Sequence, residues 1–202
     1  MVLPSTRTAT ATATGTADRD QILDAAERLF YERGLQAVGI DEIRAAAGVS
    51  LKKLYQLFPS KDGLVVAFLE RRDTRWRGRL ADYVDSRPKQ GGDDRILAVF
   101  DWLGRWFAEP GFRGCAWINS YGELGGVSET VARLARDHKT AFRRYLAGLV
   151  KAAGHPPRLA DELLLLAEGA MVTAGIFGTP RPARDARRAA ESILHRATKT
   201  DR

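Results

Sequence analysis

The stretch Ile40–Leu64, IDEIRAAAGVSLKKLYQLFPSKDGL, decides how this chain is to be read. Its apolar residues recur at helical spacing, first Ile43 and Ala47, then Leu51, Leu54 and Phe58 at i, i+3 and i+7. Gly48 breaks the first run, and Asp41 and Glu42 stand in its opening turn, where the helix dipole favours anions. Ser50 is placed to cap the second run, Pro59 to stop it, and Ser60 to cap a third. Two short helices joined through a glycine, each with one apolar stripe, have the dimensions of a helix-turn-helix.

With Leu51, Leu54 and Phe58 turned inward, the second helix is left with Lys52, Lys53 and Gln56 pointing outward together. Lysine can bond guanine O6 and N7 in the major groove, and glutamine can pair with adenine N6 and N7. These three residues are the candidates for reading bases. Ser50 at the cap, Tyr55 through its hydroxyl, Arg44, and Lys61 in the first turn of the next helix are the candidates for the backbone, which positions rather than specifies. The plainer reading of the same helix is a solvated amphipathic one that serves only to pack.

The charge distribution bears on that choice. The 202 residues carry a formal net charge of +7. Residues 1–43 hold four arginines against seven acids, whereas residues 44–79 hold nine basic residues against three acids. Most of the excess base therefore falls on the recognition helix and the helix after it, as a polyanionic partner requires.

Outward from this stretch the helical period continues. Upstream, Ile22, Ala25/Ala26 and Leu29/Phe30 form one face from Asp18 to near Gly34. Residues 1–17, rich in Thr and Ala, read as a solvated tail. Downstream, the helix capped by Ser60 runs to about Asp85, with Leu64, Phe68, Trp76, Leu80 and Val84 along one side. Further helices are expected at about residues 94–109, 115–124, 128–153, 157–177 and 183–197, separated by Gly and Pro. The expectation is an all-α protein of about nine helices: a tail (1–17), a helix-turn-helix domain (18–64) and a second helical domain (65–202).

Composition narrows the function further. A single cysteine excludes an internal disulfide framework and a cysteine-built zinc site, and His138, His155 and His195 match no metal-ligand spacing. Neither a metal nor a cofactor is expected. The most apolar stretch, Leu159–Gly178, carries Asp161, Glu162 and Glu168 and suits a bilayer poorly, and no secretory leader is recognisable. A cytoplasmic protein with no membrane partner is the expectation. No nucleophile–base pair or phosphate-cradling glycine loop suggests an enzyme. A small helical enzyme, or an adaptor that does not bind DNA, is the rival to a DNA-binding regulator.

ILDAAERLFYERG (22–34) followed by Ile40–Leu64 closely resembles the N-terminal DNA-binding domain of TetR-type (TetR/AcrR) transcriptional repressors. The resemblance rests on Ala25/Ala26, Leu29-Phe30, Gly34, Ile43, Ala47-Gly48-Val49-Ser50, Leu54-Tyr55, Phe58 and Ser60-Lys61, ending at Leu64. Departures are Val38-Gly39, where the family usually has a threonine cap, Arg44 in place of a usual Ala, and Lys52 in place of a frequent Gly. The resemblance implies a homodimer on a double-stranded, partly palindromic operator. It also implies a C-terminal domain that binds a small-molecule effector and dimerises through its last two long helices. Small residues there (Ala167, Ala170, Ala174, Ala186, Ala189, Ala190) permit close packing, either across a two-fold axis or within one subunit.

For that effector, expected to be partly apolar or aromatic, the candidate pocket residues are Trp76, Trp102, Trp106, Cys115, Asn119, Glu123, His138 and Phe142. Taken singly, each has a plainer role: aromatics as core, His138 as a hydrogen-bonded core histidine, Asn119 and Glu123 as cap or surface residues. Cys115, with Arg113 nearby, raises a thiol switch against the plainer reading of a buried inert cysteine.

Overall fold

The computed structural model describes the backbone of residues 7–87 and 91–200, and the side chains of 16–87 and 91–197. Among the described residues there are nine helices and no strand: α1 (Arg7–Arg33), α2 (Ile40–Ala47), α3 (Leu51–Leu57), α4 (Lys61–Asp85), α5 (Gly92–Phe107), α6 (Ala116–Leu124), α7 (Glu129–Ala152), α8 (Leu159–Phe177) and α9 (Arg181–Thr200). The chain divides into two compact units, residues 1–70 and 71–202, with the division inside α4.

The expected tail needs correction, because α1 is helical from Arg7 rather than from Asp18. Elongating a helix already nucleated by its core-facing turns costs little, and alanine is the best helix former. Residues 1–6 of the expected tail lie outside the described residues.

In the first unit, Ile22, Ala26, Phe30, Ile43, Leu54, Phe58 and Phe68 are buried, and the rings of Phe30 and Phe68 sit 5.7 Å apart. The link between α2 and α3 is fixed by backbone chemistry. Gly48 adopts φ +64°, its N–H donates to the Ala45 carbonyl (3.2 Å), and the Val49 N–H donates to that of Arg44 (3.1 Å). This is a Schellman closure, which satisfies the last carbonyls of α2 and reverses the chain. Two residues later the Ser50 hydroxyl accepts from the Lys53 N–H (3.2 Å), and the Ser60 hydroxyl caps α4 through the Gly63 N–H (3.0 Å). The cap of α2 is different: Gly39 offers no side chain, and Glu42 instead accepts from the Gly39 N–H (3.3 Å).

In the second unit α5 is the centre. Nine of its residues, from Ile96 to Phe107, are buried, and it packs against α7, α8 and α9. The all-round apolar pattern of this helix required such a position. The small residues of α8 and α9 serve the interior of the subunit: Ala167, Ala170, Ala174, Ala186 and Ala190 are all buried within it.

An alanine at Gly48 would meet no atom within 4 Å, so its only cost is the left-handed backbone. Gly48→Ala is expected to lose about 1–2 kcal/mol in urea unfolding, and Gly48→Asn distinctly less, because asparagine visits that conformation.

Candidate functional site

The face of α3 differs from the expected one in two residues. Leu54 and Phe58 are buried, but Leu51 is 42% exposed, beside Tyr55 at 46%. Leu51 therefore joins Lys52, Tyr55 and Gln56 on one open surface, the i, i+1, i+4, i+5 face of the helix. Lys53 is turned away from that group, with its ammonium 2.7 Å from the Asp18 carboxylate of α1. Lys53 is ion-paired inside the unit, and Leu51, expected to face the core from its spacing, is on the surface. An exposed leucine can meet a thymine methyl group. The signal was available in the sequence, since Leu51 and Tyr55 are one turn apart and Tyr55 had been placed outward.

Around this face, the Arg44 guanidinium pairs with Asp41 (2.9 Å), one turn earlier on α2. Arg33, at the end of α1, bonds Glu42. That bond, with the Gly39 N–H, holds the Glu42 carboxyl below its usual range. Arg19 lies over the Phe58 ring at 4.6 Å. Ser50 is occupied as a cap, and Lys61 is half-buried in the first turn of α4.

In the second unit, Trp76 is the hub of an aromatic cluster. Trp102, His138 and Phe142 lie 5.1–5.2 Å from it, Trp106 at 5.7 Å and Trp117 at 6.5 Å. His138 stacks on Trp117 at 3.5 Å, and its side chain is 1% exposed. Its Nδ1 is 2.7 Å from Asp73 Oδ1, and Asp73 Oδ2 accepts from Arg77 Nε (2.9 Å) and Nη2 (2.7 Å). Burial pushes His138 down to about 4, against the pull of Asp73. Burial also works against ionised Asp73, but the bonds from His138 and Arg77 outweigh it and hold its carboxyl below the usual value. With Asp73 ionised and His138 neutral, the ring proton sits on Nδ1 and donates to the carboxylate. Five of the eight expected pocket residues, Trp76, Trp102, Trp106, His138 and Phe142, therefore meet in one body, but as packed rings.

Cys115 is buried beside Lys139, whose Nζ lies 3.2 Å from Sγ and 2.6 Å from Glu168. Burial opposes the Lys139 charge, and the sulfur and the Glu168 carboxylate more than offset it. Asn119 donates its amide to the Arg113 carbonyl (2.9 Å) and so pins the segment before α6. Glu123 is half-buried.

The outer side of α8 is apolar. Leu165 (73% exposed), Val172 (39%) and Ile176 (73%) follow at i, i+7 and i+11, with Gly169 at i+4. Beside them a groove of about 600 Å³ runs between α8 and α9, its walls including Leu166, Phe177 and Pro182. Exposed apolar side chains gathered on one helix face make this a candidate interaction surface.

Residues 22–68 match the family described as bacterial regulatory proteins of the tetR family, which covers all of α2 and α3. Over residues 22–68 the chain matches the TetR family, and its structural neighbours are TetR-family regulators. An HTH-type transcriptional regulator of Mycobacterium tuberculosis is 36% identical over 127 residues, which cover 57% of this chain and 58% of that one. The Escherichia coli transcriptional repressor NemR is 28% identical over 133 residues, 65% of this chain and 63% of NemR. The chain thus aligns over about three fifths of the length of these curated relatives. A crystal structure of a TetR-family regulator from Streptomyces coelicolor superposes with a TM-score of 0.83 at 29% identity, covering 90% of this chain and 96% of that one. These TetR-type relatives are transcriptional regulators. Among the described residues no helix is long and apolar enough to cross a membrane, and no three metal-ligating side chains gather.

The buried histidine makes acid sensitivity predictable. Because its value is lowered from 6.5 to about 4, the unfolded chain takes up a proton that the folded one refuses. The stabilisation is complete above pH 6.5 and drains as pH falls towards 4. It is worth up to about 3 kcal/mol. Chemical unfolding followed at pH 7, 6, 5 and 4 should show this loss, and His138→Phe should remove that part of the slope.

Proposed function

We propose that the chain is a homodimeric, sequence-specific DNA-binding regulator of transcription, a repressor that leaves its operator when a small molecule binds the second unit. The observation that carries the reading is the exposed quartet Leu51, Lys52, Tyr55 and Gln56, held on a helix capped at its entry by Ser50 and followed at once by the Ser60 cap of α4. Lys52 and Gln56 supply base-edge contacts, Leu51 an apolar contact to thymine, and Tyr55, Lys61 and Arg44 the backbone contacts. Lys53, paired with Asp18, serves a phosphate rather than a base.

The second subunit covers the apolar face of α8. Two α3 helices then address half-sites roughly 34–36 Å apart, one turn of DNA. The effector acts by binding the form that does not fit this spacing more tightly than the form that does. A coupling of about 1–3 kcal/mol changes operator affinity 5- to 150-fold. NemR is a repressor by name, and the M. tuberculosis relative a transcriptional regulator, which supports this class of activity here.

Selection of bound sequences from random DNA with the purified protein tests the reading, and a palindromic consensus is expected. On that consensus, Lys52→Ala and Gln56→Ala should each cost about 1–3 kcal/mol at one base position and relax preference there. Lys61→Ala should weaken all sequences alike and reduce the salt slope by about one. Equal losses for all three variants on every sequence would reverse the assignment of roles. Leu165→Glu with Ile176→Glu should give a monomer in sedimentation, with affinity for the full palindrome reduced to that for a half-site.

A further inference from the structure

A cavity of about 350 Å³ lies between α4 and α7, lined by Thr74, Arg77, Gly78, Leu80, Ala81, Ala141, Phe142 and Tyr145. Its polar side chains, Thr74, Arg77 and Tyr145, can all donate. Arg77 turns Nε and Nη2 to Asp73, and Nη1 is its further donor group. The Tyr145 hydroxyl is buried without a hydrogen-bond partner. Burial, and secondarily Asp85, push that phenol up to about 12, against the opposing Arg95, so it stays protonated. No carboxylate lines the cavity, and the rest of its wall is aliphatic or aromatic. A buried donor with nothing to bond carries a desolvation cost that a ligand acceptor would relieve. Gly78 is the second sign. A glycine inside a helix is unfavourable relative to alanine, yet a Cβ here would meet no atom within 4 Å. The helix leaves this wall of the cavity open.

We propose that this cavity is the effector site and that it takes a small monocarboxylic acid with a single ring or short chain as its apolar body. The carboxylate accepts from Tyr145 Oη and Arg77, and the body rests on Leu80 and Phe142. The proposal rests on the regulator reading and gives that reading a ligand class. It also moves the effector away from the packed indoles: of the eight residues expected at the pocket, Phe142 lines this cavity. A carboxylate at Arg77 competes with Asp73 for the guanidinium. Asp73 is the residue that holds His138 against Trp117 and Trp76, so occupancy is felt in the aromatic cluster.

The test uses the full chain and four probes of one size: 3-phenylpropanoate, its amide, its alcohol and its amine. Binding is read by titration calorimetry and tryptophan fluorescence. The acid is expected to bind most tightly and to change the fluorescence, and the amine to bind least. Tyr145→Phe should weaken the acid about 10-fold, the worth of one hydrogen bond to a charged acceptor, and Arg77→Gln 10-fold or more. Gly78→Leu, which fills open space and leaves the core untouched, should abolish binding while the melting temperature is kept. Equal binding of acid and amine, no binding of any probe, or full affinity in all three variants would overturn the proposal. The same proteins are run in a gel shift on the selected operator. Operator binding without acid binding leaves the regulator reading standing and removes this site. Acid binding that the variants abolish, in a protein that shifts no DNA, does the reverse.

Discussion

The hydrogen bond from His138 to Asp73 is the constraint on which the second unit turns. An imidazole stacked on one indole and set edgewise against another is too buried to carry a charge, so it stays neutral; its Nε2 is buried without a hydrogen-bond partner, and its Nδ1–H needs an acceptor. Asp73 provides it, and Arg77 in turn neutralises Asp73. The chain Arg77–Asp73–His138 thus runs from the surface of α4 into the aromatic centre, and its members are mutually dependent. Removing the middle carboxylate would leave both a buried ring nitrogen and a guanidinium without their partner.

The architecture was legible because its signals are local. Ser50 and Ser60 act as caps, Gly48 as the left-handed stop, and α5 is buried nearly all round, each as composition and spacing had indicated. The errors have local causes too. The Thr/Ala run before Asp18 has no apolar face, so periodicity is silent on it, and its threonines and Gly15 are poor helix formers; α1 reaches back to Arg7 by elongation of a helix nucleated downstream. Leu51 was assigned inward by its spacing to Leu54 and Phe58, but a helix of two turns is too short for three core contacts on one stripe, and the first falls outside.

The regulatory site was less legible, for a different reason. Aromatic residues at helical spacing say that a cluster exists, and they say nothing of whether it is hollow. Trp76, Trp102, Trp106, Trp117, His138 and Phe142 do gather, but their rings fill the space between them. Small and polar residues, Gly78, Thr74 and Tyr145, border the open volume instead. Likewise Cys115 meets Lys139 on α7, a pairing across 24 positions that no sequence spacing reveals.

The pairing of Lys53 with Asp18 has a consequence for how such a surface discriminates. A carboxylate that already holds the ammonium is an internal rival to every phosphate that approaches. On the reading proposed above, DNA of any sequence must displace Asp18 before Lys53 can reach a phosphate, so the pair weakens right and wrong sequences by the same factor and leaves discrimination to Lys52, Gln56 and Leu51. Its effect is to shorten the stay on every site and so to speed the exchange from one to the next.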